Sequence, residues 1–140
     1  MPRRRLIPDL RCPAMITASS SLEGLRVLLA EDEGLIALEV ETVLQGFGCE
    51  VVGPVSRVND VLREAERGQL DGALLDVNLR GEQIFAVLPR LTELKLRIVI
   101  TSGYDDATLF PEAFRTLPRL AKPFGELSLR KICEQTFLRA

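Results

Sequence analysis

An aspartate that closes a run of apolar residues can serve as a nucleophile, and Asp76 closes one. LLDVNL, Leu74 to Leu79, passes at Asp76 from strand-forming residues into turn-forming ones. Taken alone, this aspartate reads more readily as a turn residue or a helix cap. Two further stretches change its meaning. VLLAEDE, Val27 to Glu33, ends a second apolar run in three acids, and LAKPF, Leu120 to Phe124, ends a third in a lysine followed by proline.

Glu31, Asp32, Asp76, Ser102 and Lys122 each have a plainer use. Acids just before a helix favour its positive end by about 0.3–1 kcal/mol each. Ser102 can be a turn hydroxyl and Lys122 a solvated charge. Their joint occurrence at the ends of strands one, three, four and five favours a single site. Clustered carboxylates raise one another's pKa unless a cation sits among them. Mg²⁺ prefers oxygen and keeps much of its water, so one or two carboxylates, a backbone carbonyl and a phosphoryl oxygen suit it. With a phosphoryl group held in line, Asp76 can attack phosphorus and form an acyl phosphate, whose oxygens Lys122 and Ser102 would bind.

Such a site needs strands that end on one edge. From Arg26 onward, short apolar runs alternate with longer helical periods, the pattern of βα units around a parallel sheet. Strands are predicted at Arg26–Ala30, Glu50–Gly53, Gly72–Leu75, Arg97–Thr101 and Arg119–Ala121. A first helix follows Ile36, Val40, Val43 and Phe47, with Gly46 and Gly48 as its stop. A second carries Val58, Val61, Leu62 and Ala65 on one face, with Ser56 as N-cap and Gly68 as stop. A third runs through Ile84, Val87, Leu88 and Leu91, kinked by Pro89. The last carries Leu129, Ile132, Cys133 and Thr136. Between Gly103 and Pro118 the period weakens and Pro111 interrupts it, so a loop and a short helix are expected there. Short, fully apolar strands imply burial on both faces. Right-handed crossovers then bring every strand's carboxyl end to one edge.

Composition removes other chemistries. A chain of 140 residues suits one domain with its own core, and 46% hydrophobic with 27% charged residues is ordinary for a soluble protein. No apolar run is long enough for a membrane span. Zero histidines exclude imidazole-activated nucleophiles and imidazole metal ligands, so any phosphohistidine belongs to a partner. Cys12, Cys49 and Cys133 show neither CxxC spacing nor a disulfide framework and read as reduced thiols, Cys133 at a core position. Pro8, Asp9 and Arg11 interrupt any signal-peptide core, and a cytoplasmic location is expected. Residues 1–22 carry four arginines against one aspartate and read as a flexible tail before a domain at 23–140, with Met15 an alternative start. The domain itself holds fourteen bases against nineteen acids, which argues against nucleic acid as its ligand. Neither GxGxxG after a strand nor a P-loop is present, which discounts nucleotide binding.

AEDE at 30–33, LLDVNL at 74–79, ITSGY at 100–104 and LAKPF at 120–124 resemble, in order and spacing, the receiver domain of two-component response regulators. The resemblance covers about residues 24–138. LDVNLRGE, ITSGY and LPRLAKPF together are similar to the single-domain receivers with a FATGY-type motif. The resemblance implies a flavodoxin-like, doubly wound (βα)5 sandwich with a five-stranded parallel sheet in order 2-1-3-4-5 and a short or irregular fourth helix. It makes Asp76 the phosphoacceptor, Asp32 a direct Mg²⁺ ligand and Glu31 a group acting mostly through water. The Asn78 backbone carbonyl would be the remaining protein ligand, Ser102 the switch hydroxyl, Lys122 the phosphoryl contact, and the bond to Pro123 cis. Implied partners are a sensor histidine kinase or histidine phosphotransfer protein as donor and an effector protein, with the chain a monomer or weak dimer.

Ala140 ends the chain just after the last helix, so a stand-alone phosphoacceptor is expected, not a turnover enzyme. An aspartyl-phosphate phosphatase of the haloacid dehalogenase type is one alternative, but it resembles D-x-D and Asn78 stands at the second position. A phosphorylation-independent adaptor that keeps only the fold is another. Receivers commonly carry an aromatic residue three positions before the lysine, where Arg119 stands here, so an aromatic rotamer relay is not expected. None is required: shifting a two-state equilibrium from 1:99 to 99:1 takes about 5.5 kcal/mol. Charge-assisted bonds from Ser102 and Lys122, about 1.5–3 kcal/mol each, approach that. Asn78 and Tyr104 are expected to flank the acyl phosphate and set its lifetime.

Overall fold

The computed structural model describes residues 22–103 and 110–138. Five parallel strands form the central sheet: β1 (Arg26–Ala30), β2 (Glu50–Val55), β3 (Gly72–Asp76), β4 (Ile98–Ser102) and β5 (Arg119–Ala121). Their order is β2-β1-β3-β4-β5, as expected. Around them lie α1 (Gly34–Gly46), α2 (Val58–Arg67), α3 (Leu88–Glu93) and α4 (Glu126–Phe137).

Side chains of successive strand residues point to opposite faces, so the continuous apolar strands feed two cores. Leu28, Leu75 and Ile100 pack on one side with Val61 of α2 and Leu91 of α3. Val27, Leu29, Leu74 and Val99 pack on the other with Val40 and Leu44 of α1 and Leu129 and Cys133 of α4. Every residue of β3 and β4 is buried, whereas β2 and β5 at the sheet edges are partly or largely open. Leu22 is fully buried in the second core. The tail expected before it and Tyr104 lie outside the described residues.

Two glycines are required by their surroundings. Gly53 has φ +101° beside the cis Gly53–Pro54 bond, and there the β1–β2 register shifts, carrying β2 two residues past its predicted end. At Gly72 an added Cβ would overlap the Phe137 ring. The same end of α4 is held by Arg97, whose Nη1 donates to the Phe137 carbonyl at 3.1 Å.

The helices depart from expectation at their ends. Ser56 does not cap α2; Arg57 is the capping residue and makes no side-chain cap bond. The third predicted helix is divided into a 3₁₀ turn at Ile84–Ala86 and α3, in which Pro89 occupies the first turn. Proline's missing N–H costs nothing in a first turn, so Pro89 opens a helix and does not kink one. Within the weakly periodic stretch, the described part holds a 3₁₀ turn at Glu112–Phe114. Among the described residues, no helix is long and apolar enough to cross a membrane.

Candidate functional site

The carboxyl ends of β1, β3, β4 and β5 meet at one edge, and the predicted residues stand there. Asp76 is the last residue of β3, paired with Thr101 of β4. Its position in a strand buried on both faces leaves the residue only 6% exposed. Asp76 Oδ2 accepts a hydrogen bond from Lys122 Nζ at 2.9 Å, and Oδ1 accepts a longer one, 3.3 Å, from the Asn78 N–H. Lys122 follows β5 directly and is fixed by its backbone, whose N–H donates to the Ser102 carbonyl at 2.8 Å. The Lys122–Pro123 bond is cis, as expected.

Lys122 also bridges to Glu31, donating to Oε1 at 3.0 Å, while Glu31 Oε2 accepts the Glu33 N–H at 3.1 Å. The resemblance gives Glu31 a role through water; here it is buried and bonded directly to the lysine. Burial raises the Glu31 carboxyl above its ordinary range, the Lys122 hydrogen bond opposes that, and the charge of Asp76 adds to it. For Lys122, burial pulls the ammonium down, but the hydrogen bonds to Asp76 and then Glu31 outweigh it and hold the group above its usual value. The amine is therefore a charged counter-ion set between two acids.

Oxygens of Glu31, Asp32 and Asp76 lie within 4.8 Å of one another. Asp32 is exposed, and its Oδ2 accepts the Arg80 N–H at 2.9 Å. Ser102 is buried at the end of β4, but its hydroxyl makes no hydrogen bond to Asp76 or Lys122. Arg119 places its guanidinium 4.6 Å from the centroid of Phe110, which meets Phe85 edge-on at 5.0 Å, and Phe85 stacks on Phe114. Phe110, joined through Phe85 to Phe114, thus lies beside position 119, which itself carries no aromatic ring. That cluster was not legible in sequence, because it joins residues from two separate irregular segments. Arg80 was missed as well; the only local signal was its place before Gly81 in a turn.

No protein-family model matches the chain. The chain is 35% identical to SdrG from Sphingomonas melonis Fr1, whose solution structure superposes with a TM-score of 0.69, covering 78% of this chain and 92% of that one. It is 25% identical over 112 residues, 78% of this chain, to the phyllosphere-induced regulator PhyR of Methylorubrum extorquens. The receiver domain of sensor histidine kinase PA1611 from Pseudomonas aeruginosa PAO1, solved with magnesium coordinated in its active site cleft, shares the fold. That match has a TM-score of 0.70 at 22% identity and covers 82% of this chain and 98% of that one. The chain spans 42–43% of the length of the curated relatives it matches.

Proposed function

The chain belongs to the response regulator receiver family, and on that footing we propose that it is a phosphoacceptor switch with Asp76 as the nucleophile. The observation that carries this is the Lys122 ammonium, 2.9 Å from Asp76 and 3.0 Å from Glu31, at the buried end of β3. An Asp76 oxygen attacks the phosphorus of a phosphohistidine on a kinase or phosphotransfer protein. The P–O bond forms as the P–N bond breaks, and the electron pair leaves on the imidazole nitrogen, which takes a proton from solvent. Lys122 then transfers its hydrogen bonds from the free carboxylate to the phosphoryl oxygens, and Ser102 at the end of β4 supplies a second donor.

The donor set fits Mg²⁺, because three clustered carboxylates offer oxygen without nitrogen or sulfur. Asp32, Asp76 and the Asn78 carbonyl would hold it, with Glu31 behind them. When bound, such an ion neutralises the carboxylates and the charge on the transferring group. Asn78 stands where a phosphatase of the D-x-D kind carries its second aspartate, which favours a switch over an enzyme. An open groove of about 510 Å³ between α1 and the segment after Lys122 is lined by Ile36, Val40, Pro123, Phe124 and Leu129. Beside it Leu35, Leu38 and Leu127 are 81%, 59% and 82% exposed. This apolar rim is where the donor protein docks, in the cytoplasm. Incubation with acetyl phosphate and Mg²⁺ tests the reading: one phosphoryl group per chain, none in Asp76→Asn, is the expected result. Many turnovers of a phosphoester would instead indicate a phosphatase, and no label at all would leave an adaptor.

A further inference from the structure

After Asp76 the chain makes a two-residue hairpin, pairing Asn78 with Gln83 and Leu79 with Glu82. Its tip, Arg80-Gly81, has φ +51° and +85°. Hairpin turns with two positive φ angles favour Asn-Gly, and an arginine at the first position carries a steric cost. Three contacts hold it there. The Arg80 N–H donates to Asp32 Oδ2 at 2.9 Å, Arg80 Nε donates to Ser56 Oγ at 3.2 Å, and the Gly81 N–H donates to Asn78 Oδ1 at 3.1 Å. The arginine thereby ties three loops together: the one after β1, the one after β2 and the one after β3.

We propose that Arg80 is a positioning residue that makes the site select Mg²⁺ over Ca²⁺. The inference rests on reading the acid cluster as a divalent-cation site. A backbone N–H on Oδ2 takes up part of that oxygen's acceptor capacity, so Asp32 offers a cation its full capacity only through Oδ1. Ca²⁺ takes six to eight oxygens and readily uses carboxylates in bidentate fashion, whereas Mg²⁺ demands single oxygens in octahedral array. Holding Asp32 by one oxygen therefore penalises the larger ion. Lys122 holds oxygens of Glu31 and Asp76 in a similar way, but through a side chain that phosphorylation draws off. The Asp32 tie is made by main chain, and it stays only while the hairpin tip stays. Ser56 fixes the tip by accepting from the guanidinium, which explains why this serine serves the hairpin and not α2.

The test is titration of the whole chain with Mg²⁺ and with Ca²⁺, followed by the amide shifts of Gly34 and Gly81. Wild type, Ser56→Ala, Ser56→Thr and Arg80→Ala are compared. Arg80→Ala loses the tie to Ser56 and, unlike asparagine, has no preference for the positive φ that the tip needs. Expected is a fall in the preference for Mg²⁺ over Ca²⁺ of about threefold in Ser56→Ala and in Arg80→Ala, the order of one exposed hydrogen bond. Ser56→Thr retains the preference. An unchanged ratio in both of the first two variants overturns the role of Arg80 while leaving the cation site standing. Failure of the wild type to bind either ion overturns both.

Discussion

The central strands and the edge strand beside them are held by different forces, and the site is built across that difference. β3 and β4 are buried residue for residue, and they end in Asp76 and Ser102. β5 has three residues, two of them exposed, and delivers Lys122. The carboxylate is placed by core packing. The amine is placed by backbone pairing to Ser102 and by the two acids it bridges. A rigid nucleophile and a partner held largely by the site's own charge suit a switch, because a new phosphoryl group can redirect the partner without disturbing the core.

Truncating one leucine on each kind of strand gives the largest contrast. Leu75→Ala, at a fully buried position of β3, is expected to lower unfolding stability by about 3 kcal/mol in urea titration, within the range for buried leucines. Leu120→Ala on β5, only partly buried, should cost about 1 kcal/mol because less apolar area returns to water. Equal losses would erase the distinction between the strands.

The charge-held half is sharpened by Lys122→Met, which should lower stability by about 2 kcal/mol, between exposed and fully buried ion pairs. Because the folded-state pKa of Lys122 is raised, its contribution is fully present below the ordinary lysine value of 10.5 and is lost as pH rises through the folded value. The gap between wild type and Lys122→Met should therefore hold from about pH 7 to 9 and close only above 10.5. A gap that closed near neutrality would mean that the ammonium is not the stabilising group.

The smallest effect concerns the thiols. Burial pushes Cys49, just before the edge strand β2, up to about 11, and Cys133 of α4 up to about 12. In a Cys12→Ser background both should resist a thiol reagent in the native state, with Cys49 reacting before Cys133. Fast labelling of Cys133 would show that α4 is loosely packed on the sheet.

The same contrast decides how much was legible in the sequence. LLD and VITS are continuous apolar runs that admit only a buried strand, so the ends of β3 and β4, and the acids and hydroxyl on them, could be read within a residue. Lys122 was readable from its place before Pro123 at the end of a short run. What escaped reading depends on tertiary contacts with no local signature. Ser56 looks like a cap until Arg80 is seen to reach it. Pro89 looks like a kink until Ile84–Ala86 takes up its own 3₁₀ turn. Phe85, Phe110 and Phe114 give no hint in sequence that they assemble beneath Arg119.

The central claim, that the rigid end of β3 carries the nucleophile, is tested most directly by trapping the product. Phosphorylated protein is reduced with borohydride, which converts an aspartyl phosphate to homoserine, and the digested peptides are sequenced by mass spectrometry. The account predicts homoserine at position 76 in wild type and at no position in Asp76→Asn. Homoserine at 32, or a phosphoryl label that survives as a serine or threonine ester, would contradict it.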